Sequence, residues 1–186
     1  MNNQRSKIAK KTLELLKVYD WESISIDIIC NKLKLKKKKI SNNIKNKNDF
    51  FKNINQYFDD IMIDKSQSIE KSTSRDMIFE MFMLRFDILS QYRFSILRIF
   101  DFYKYNPKSF ILLIPPLIDS IDLMAKSSNI ETKGLIGTIK IKGLLIIYFS
   151  SFLTWIKDET PSLDKTMNAL DNYLDKADNI LKLLKK

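Results

Sequence analysis

Apolar residues recur along this chain at spacings of three and four, the period of a helix with one buried face, and almost nowhere alternate. Over residues 5–19, Ile8, Thr12, Leu15, Leu16 and Tyr19 fall on one side, and Lys7, Lys10, Lys11, Glu14 and Lys17 on the other. Asp20-Trp21-Glu22 interrupts the pattern, and Trp21 is expected to close over the core beneath it. Ser25 suits the N-cap of a second helix, with Asp27 in its first turn and Ile28, Ile29, Cys30 and Leu33 facing inward. Lys34-Leu35 makes a turn, and residues 36–43 form a third helix, with Ile40 and Ile44 turned inward. Asn46 and Asp49 have the spacing of a helix start and its capping partner. They open a long helix striped by Phe50, Ile54, Tyr57 or Phe58, and Ile61.

Residues 65–75 are polar and aperiodic, the composition of a link. From Arg75 to Ser90 the pattern leaves little polar face, which predicts a helix buried on most sides. Another helix covers residues 94–105 and ends near Asn106-Pro107, and Pro115-Pro116 breaks or restarts the next one. The most apolar run, 144–156, is 13 residues long, with Lys140 and Lys142 just before it. A bilayer needs about 20, so a buried or dimer-facing helix is expected and no transmembrane segment. The last helix is predicted to start at Pro161, capped by Thr160, with Leu163, Met167, Leu170, Leu174, Ala177, Leu181 and Leu184 on its inner face. The fold class is all-α. A three-helix helix-turn-helix domain occupies residues 1–50, its connecting helix reaches about residue 64, and a helical body fills 65–186.

Charge changes this picture. Residues 1–50 carry thirteen Lys/Arg against five Asp/Glu, so +8 of the net +10 sits in the first quarter. Such a gradient points to a polyanion, either nucleic acid or an acidic membrane surface. Lys36, Lys37, Lys38 and Lys39 project around more than half of a helix, so some face outward in any register. Lysines neutralise phosphates without reading sequence, whereas Asn42 beside them can read a base edge. Ordinary solvated lysines are the competing interpretation, and the local concentration of charge argues against it.

The chemistry of an enzyme is missing from the pattern. The chain has no histidine and one cysteine, Cys30, so neither a His-based dyad nor an internal disulfide can form. Asp158 and Glu159 are adjacent and do not share a helix face. There is no Gly-rich phosphate loop. No catalytic residue, metal site or cofactor is expected, and the single thiol fits a cytoplasmic setting.

The first sixty residues resemble the N-terminal domain of the TetR/AcrR family of bacterial regulators. Ile29-Cys30 stand for that family's apolar-Ala pair, Leu33 for its small residue, and Leu35 for its turn residue. Lys36 marks the helix start, Ile40 the apolar position, Ile44 the aromatic, Lys47 the lysine and Phe50 the leucine. Lys34 stands where the family has Gly, Ser41 where it has Tyr, and Asn48 where it has Glu. The C-terminal half is similar to the body of a TetR-like subgroup through Trp155, Asp158, Thr166, Met167, Leu170 and Asp171. The accessory proteins of ubiquinone biosynthesis, which bind lipid on a TetR-like fold, share that ending.

The resemblance implies a homodimeric transcriptional regulator of the repressor kind, with double-stranded DNA as partner and a small apolar effector. It implies that Ser25, residues 36–42 (Ser41 among them) and Lys47 face DNA, and that Ile146, Phe149, Phe152, Leu153, Leu170 and Leu174 pair with a second copy. Phe82, Phe86, Phe94, Phe100, Phe102, Tyr103, Phe110 and Tyr148 are candidates to line an effector cavity or an ordinary aromatic core. The alternative is a non-DNA-binding carrier of lipid or isoprenoid. A third reading has the basic head on a membrane surface.

Overall fold

The computed structural model describes residues 3–41 and 44–184, with helices throughout and no strand among them. The helices are α1 Asn3–Leu15, α2 Ile26–Leu33, α3 Lys37–Ser41, α4 Lys47–Ser66, α5 Ser74–Ser90 and α6 Arg93–Lys104. There follow α7 Pro107–Phe110, α8 Ile114–Ser127, α9 Gly134–Trp155 and α10 Asp164–Leu184. Single 3₁₀ turns lie at Trp21–Ser23 and Ile111–Leu113. The chain divides into two compact units, residues 1–64 with 88–117 and residues 65–87 with 118–186.

The first unit is built on α1, whose Ile8, Ala9, Leu13 and Leu15 are buried, as are Leu16, Trp21, Ile29, Ile40, Ile44, Phe50 and Ile54. The helical pattern of 5–19 overshoots, because α1 ends at Leu15 and turns through residues 16–18, leaving Val18 exposed. Four buried polar side chains of this unit are paired, while the Trp21 indole N–H is buried without a partner among the described residues. Thr12 Oγ1 donates to the Ile8 carbonyl (2.8 Å), Ser95 Oγ to Leu13 (2.7 Å), Asn53 to Arg5 (3.1 Å) and Asn55 to Pro116 (2.8 Å). Ser95 and Asn53 thereby fasten α6 and α4 to α1, and Asn55 fastens α4 to the start of α8, by directional bonds that a purely apolar core would lack. Pro115-Pro116 restarts the chain within the first turn of α8, where their missing N–H groups cost nothing.

The second unit centres on α5, α9 and α10. Phe82 and Phe86 of α5 flank Tyr148 of α9, at ring distances of 5.4 and 5.3 Å. Arg85 is buried beside them and donates through Nε to the Tyr148 hydroxyl (3.3 Å). Arg75 of α5 bridges Asp171 (2.6 Å) and Asp175 (2.5 Å) on α10. The last helix begins at Asp164, not Pro161, because Leu163 adopts a left-handed backbone (φ 56°) that the helix cannot include.

The connection between α9 and α10 is organised by Asp158, which is buried. One carboxylate oxygen accepts from the backbone N–H and hydroxyl of Thr160 (3.1 and 2.6 Å). The other accepts from the N–H and hydroxyl of Thr166 (both 2.8 Å). Thr160 Oγ1 in turn accepts the N–H of Asp164 (2.9 Å), the first residue of α10, although Leu163 and not Thr160 occupies the residue before the helix.

Candidate nucleic-acid interface

Ser25 has the extended backbone of an N-cap and its Oγ accepts the Ile28 N–H at 3.3 Å, which starts α2. α2 ends at Lys34 in the left-handed region (φ 53°, ψ 40°), and the Leu35 N–H returns to the Cys30 carbonyl. A Gly at that position would be unstrained, whereas a side chain there costs about 1 kcal/mol. The turn therefore takes a left-handed geometry with a residue that only tolerates it. Leu33 and Leu35 are half-buried, and Ile29, Cys30 and Ile40 are buried under the pair of helices. Burial pushes the Cys30 thiol up, with Asp27 adding to the effect, as for a core residue rather than a nucleophile.

Lys36 belongs to the turn and α3 starts at Lys37. Lys36, Lys37 and Lys38 are exposed. Lys37 reaches back to Asp27 of α2 at 2.7 Å, a pair between two exposed side chains that ordinary sequence periodicity does not show. Asn42 lies outside the described residues, and the side chains of Lys39 and Ser41 lie outside them too. Lys36, Lys37, Lys38 and the N-cap Ser25 thus sit on one contiguous helix-turn-helix segment, while Ser25 Oγ is already engaged as a cap.

Lys47 is placed differently from its expected role. Its ammonium donates to the carbonyls of Trp21, Glu22 (2.8 Å) and Ile24 and lies 5.4 Å from the Trp21 ring centre. Burial pushes its pKa down to about 8, with the Glu22 carboxylate acting the other way. The helix behind it starts as the sequence indicated. Asp49 N–H donates to Asn46 Oδ1 (3.1 Å), and Asp49 Oδ2 accepts from the N–H groups of Asn46 (3.2 Å) and Lys45 (2.8 Å). Asp completes the reciprocal cap despite its shorter reach.

The candidate dimer residues do not form one surface. Leu170 and Leu174 are buried within the chain against α9, so they have no face left for a second copy. Phe149 and Phe152 are half-buried and stack with each other at 6.3 Å. Ile146 and Leu153 are exposed, at 67% and 42%. Leu135 (78%), Ile136 (70%) and Ile139 (59%) extend that apolar face toward the start of α9, and the sequence reading missed them because it centred on residues 144–156. α9 is also longer than the 13-residue run. Over its 22 residues it has the length and apolar composition of a membrane span, a test that core helices of folded domains pass as well.

The aromatic candidates separate. Phe82, Phe86 and Tyr148 pack in the second unit, while Tyr103 is buried in the first and Phe94 is exposed. Two open clefts occur in the second unit, about 520 Å³ beside Ser150, Leu153, Thr154, Lys157, Lys165 and Tyr173, and about 300 Å³ beside Lys65, Ile69, Met83, Leu84 and Asp87. Neither is lined by those aromatics. No group of His, Cys, Asp or Glu among the described residues could hold a metal ion.

An all-α chain with an N-terminal helix-turn-helix and a pair of long C-terminal helices defines a small class of folds. The chain is similar to the crystal structure of the TetR transcriptional regulator from Nitrosomonas europaea ATCC 19718, at a TM-score of 0.72 and 17% identity over 95% of this chain and 98% of that one. That likeness shows a TetR-like fold. No protein-family model matches the chain, and no curated protein matches it.

Proposed function

We propose that the chain is a transcriptional regulator that binds operator DNA as a homodimer, with a small apolar molecule as effector. The observation that carries this reading is the helix-turn-helix of residues 25–41, closed by a left-handed Lys34 and presenting Lys36, Lys37 and Lys38 to solvent. Lys39, Ser41 and Asn42 complete the proposed DNA-facing set. Exposed lysines at the start of a second helix suit phosphates on the edge of a major groove. The similarity in fold to a TetR transcriptional regulator supports the same reading. The exposed apolar face of α9 supports pairing of two copies, since helix-turn-helix readers act on paired half-sites.

The test is a fluorescence-anisotropy titration against duplex from the gene's own upstream region and against random duplex, at two salt concentrations. Tighter binding to the upstream duplex is expected, and Lys37→Glu with Lys38→Glu should abolish it. Each phosphate contact should contribute about −0.9 to the log–log salt slope. Equal affinity for the two duplexes would sink the proposal, and a lipid found by mass spectrometry in protein purified without denaturant would then favour the carrier reading.

A further inference from the structure

We propose that Lys47 is a positioning residue, one that fixes the helix pair α2–α3 to the start of α4, and not a contact to DNA. Its consequence for affinity rests on the DNA-binding reading above, whereas the clamp itself rests on geometry. An ammonium carries three N–H donors, and the carbonyls of Trp21, Glu22 and Ile24 offer three acceptors. With its donors so occupied, the group has none left for a phosphate. The three carbonyls belong to the turn that leads directly into Ser25, the N-cap of α2. Holding the turn therefore sets where α2 begins, with no intervening slack.

The other end of the turn is also fastened. Arg98 of α6 bonds Asp20 at 3.1 Å, and Tyr103 of α6 packs on Trp21 at a ring distance of 6.3 Å. α4 is anchored in its own right by the Asn46–Asp49 cap. Lys47 is thus the link from α4 to the turn, made through a side chain half removed from water. Without the ammonium, three carbonyls lose a charge-assisted donor and the turn regains freedom. Only a fraction of heads would then present α2 and α3 correctly, and apparent affinity falls by that fraction.

The clamp should respond to pH. The charged group acting on Lys47 is Glu22 on the turn, and the same turn carries the Asp20–Arg98 pair at its start and packs through Trp21 on Tyr103 of α6. A neutral amine keeps only two N–H donors and loses the charge assistance. With a pKa near 8, the clamp weakens as pH rises through that value. The linkage sign is the opposite for folding. The folded-state pKa lies below the ordinary 10.5, so at this group rising pH favours the folded chain, and lost DNA affinity would not accompany lost stability.

Three measurements test this on the whole protein. In a ¹H–¹⁵Nζ lysine spectrum in mildly acidic buffer, one ammonium, absent from Lys47→Arg, should exchange slowly with water because three carbonyls hold its donors, and exchange as fast as in the exposed lysines overturns the clamp. In anisotropy titrations, Lys47→Met should weaken duplex binding by roughly tenfold, the worth of one charge-assisted hydrogen bond, with the salt slope unchanged. A slope shallower by about 0.9 would mean that Lys47 touches phosphate, and overturns the proposal. Between pH 7 and 9 the wild-type affinity should fall while that of Lys47→Arg stays flat, and parallel profiles count against it. If the wild type binds neither upstream nor random duplex, the DNA reading fails and takes the affinity claim with it, while the ammonium exchange rate still judges the clamp.

Discussion

Asp158 shows how one side chain can hold two helices in register. Burial pushes its pKa up, and the four hydrogen bonds from Thr160 and Thr166 more than offset this, holding it down at about 2. Because the folded pKa lies below the ordinary value of 3.8, this group stabilises the fold above that value and loses its contribution as pH falls toward 2. Asp158→Ala strands four donors near the end of α9, and a loss of about 3 kcal/mol is expected in denaturant unfolding at neutral pH. Asp158→Asn should flatten the acid limb of the stability profile, and an unchanged limb would show that other carboxylates govern it. The resemblance picked out Trp155, Asp158 and Thr166 as a set, and the structure supplies the reason. Periodicity could not have done so, since the bonds run between residues two and eight positions apart across a helix boundary.

At the scale of elements, the long helices were legible because their apolar residues recur at helical spacing, whereas the four-residue α7 buries nothing and left no such pattern. Ser25, the Asn46–Asp49 cap and the Pro115-Pro116 restart were legible because capping is local chemistry. What escaped depends on partners distant in sequence. Leu13 and Ala9 are buried, yet neither fell on the predicted stripe of α1. The capture of Lys47 by three carbonyls joins residues more than twenty positions apart, and no motif announces it. The start of α9 is a further case. Gly134 takes a positive φ of 68°, and a Cβ on Gly137 would stand 2.1 Å from the Thr132 carbonyl carbon. Backbone cannot yield as a flexible side chain would, so Gly137→Ala must push the Thr132 turn away from α9. A cost of about 1–3 kcal/mol is expected, read as a lower midpoint in urea. Gly143→Ala meets no neighbour within 4 Å and serves as the control, gaining slightly from helix propensity.

At the scale of the whole molecule, the exposed face of α9 calls for a partner. Leu135, Ile139, Ile146 and Leu153 follow one another at spacings of four and seven, which keep them on one helix face, with Met167 of α10 also exposed. So many large apolar side chains along one helix exceed the scatter of single exposed residues on a monomer. The charges on α9, Lys140 and Lys142, sit inside the helix near its start, and Ile141, Leu144, Ile147, Tyr148 and Trp155 face the chain's own core. A helix that packs one face on its own chain and offers the other to a twin satisfies both sets of residues. A bilayer span would place the buried set and the lysines in lipid. Ile146→Asp with Leu153→Asp should therefore convert a dimer to a folded monomer in light scattering coupled to gel filtration, with helical circular dichroism retained. Leu170→Asp, which enters the core, should instead unfold the second unit. Extraction of wild-type protein only with detergent, or a dimer that survives the double variant, would each discard the α9 face as the seam between two copies.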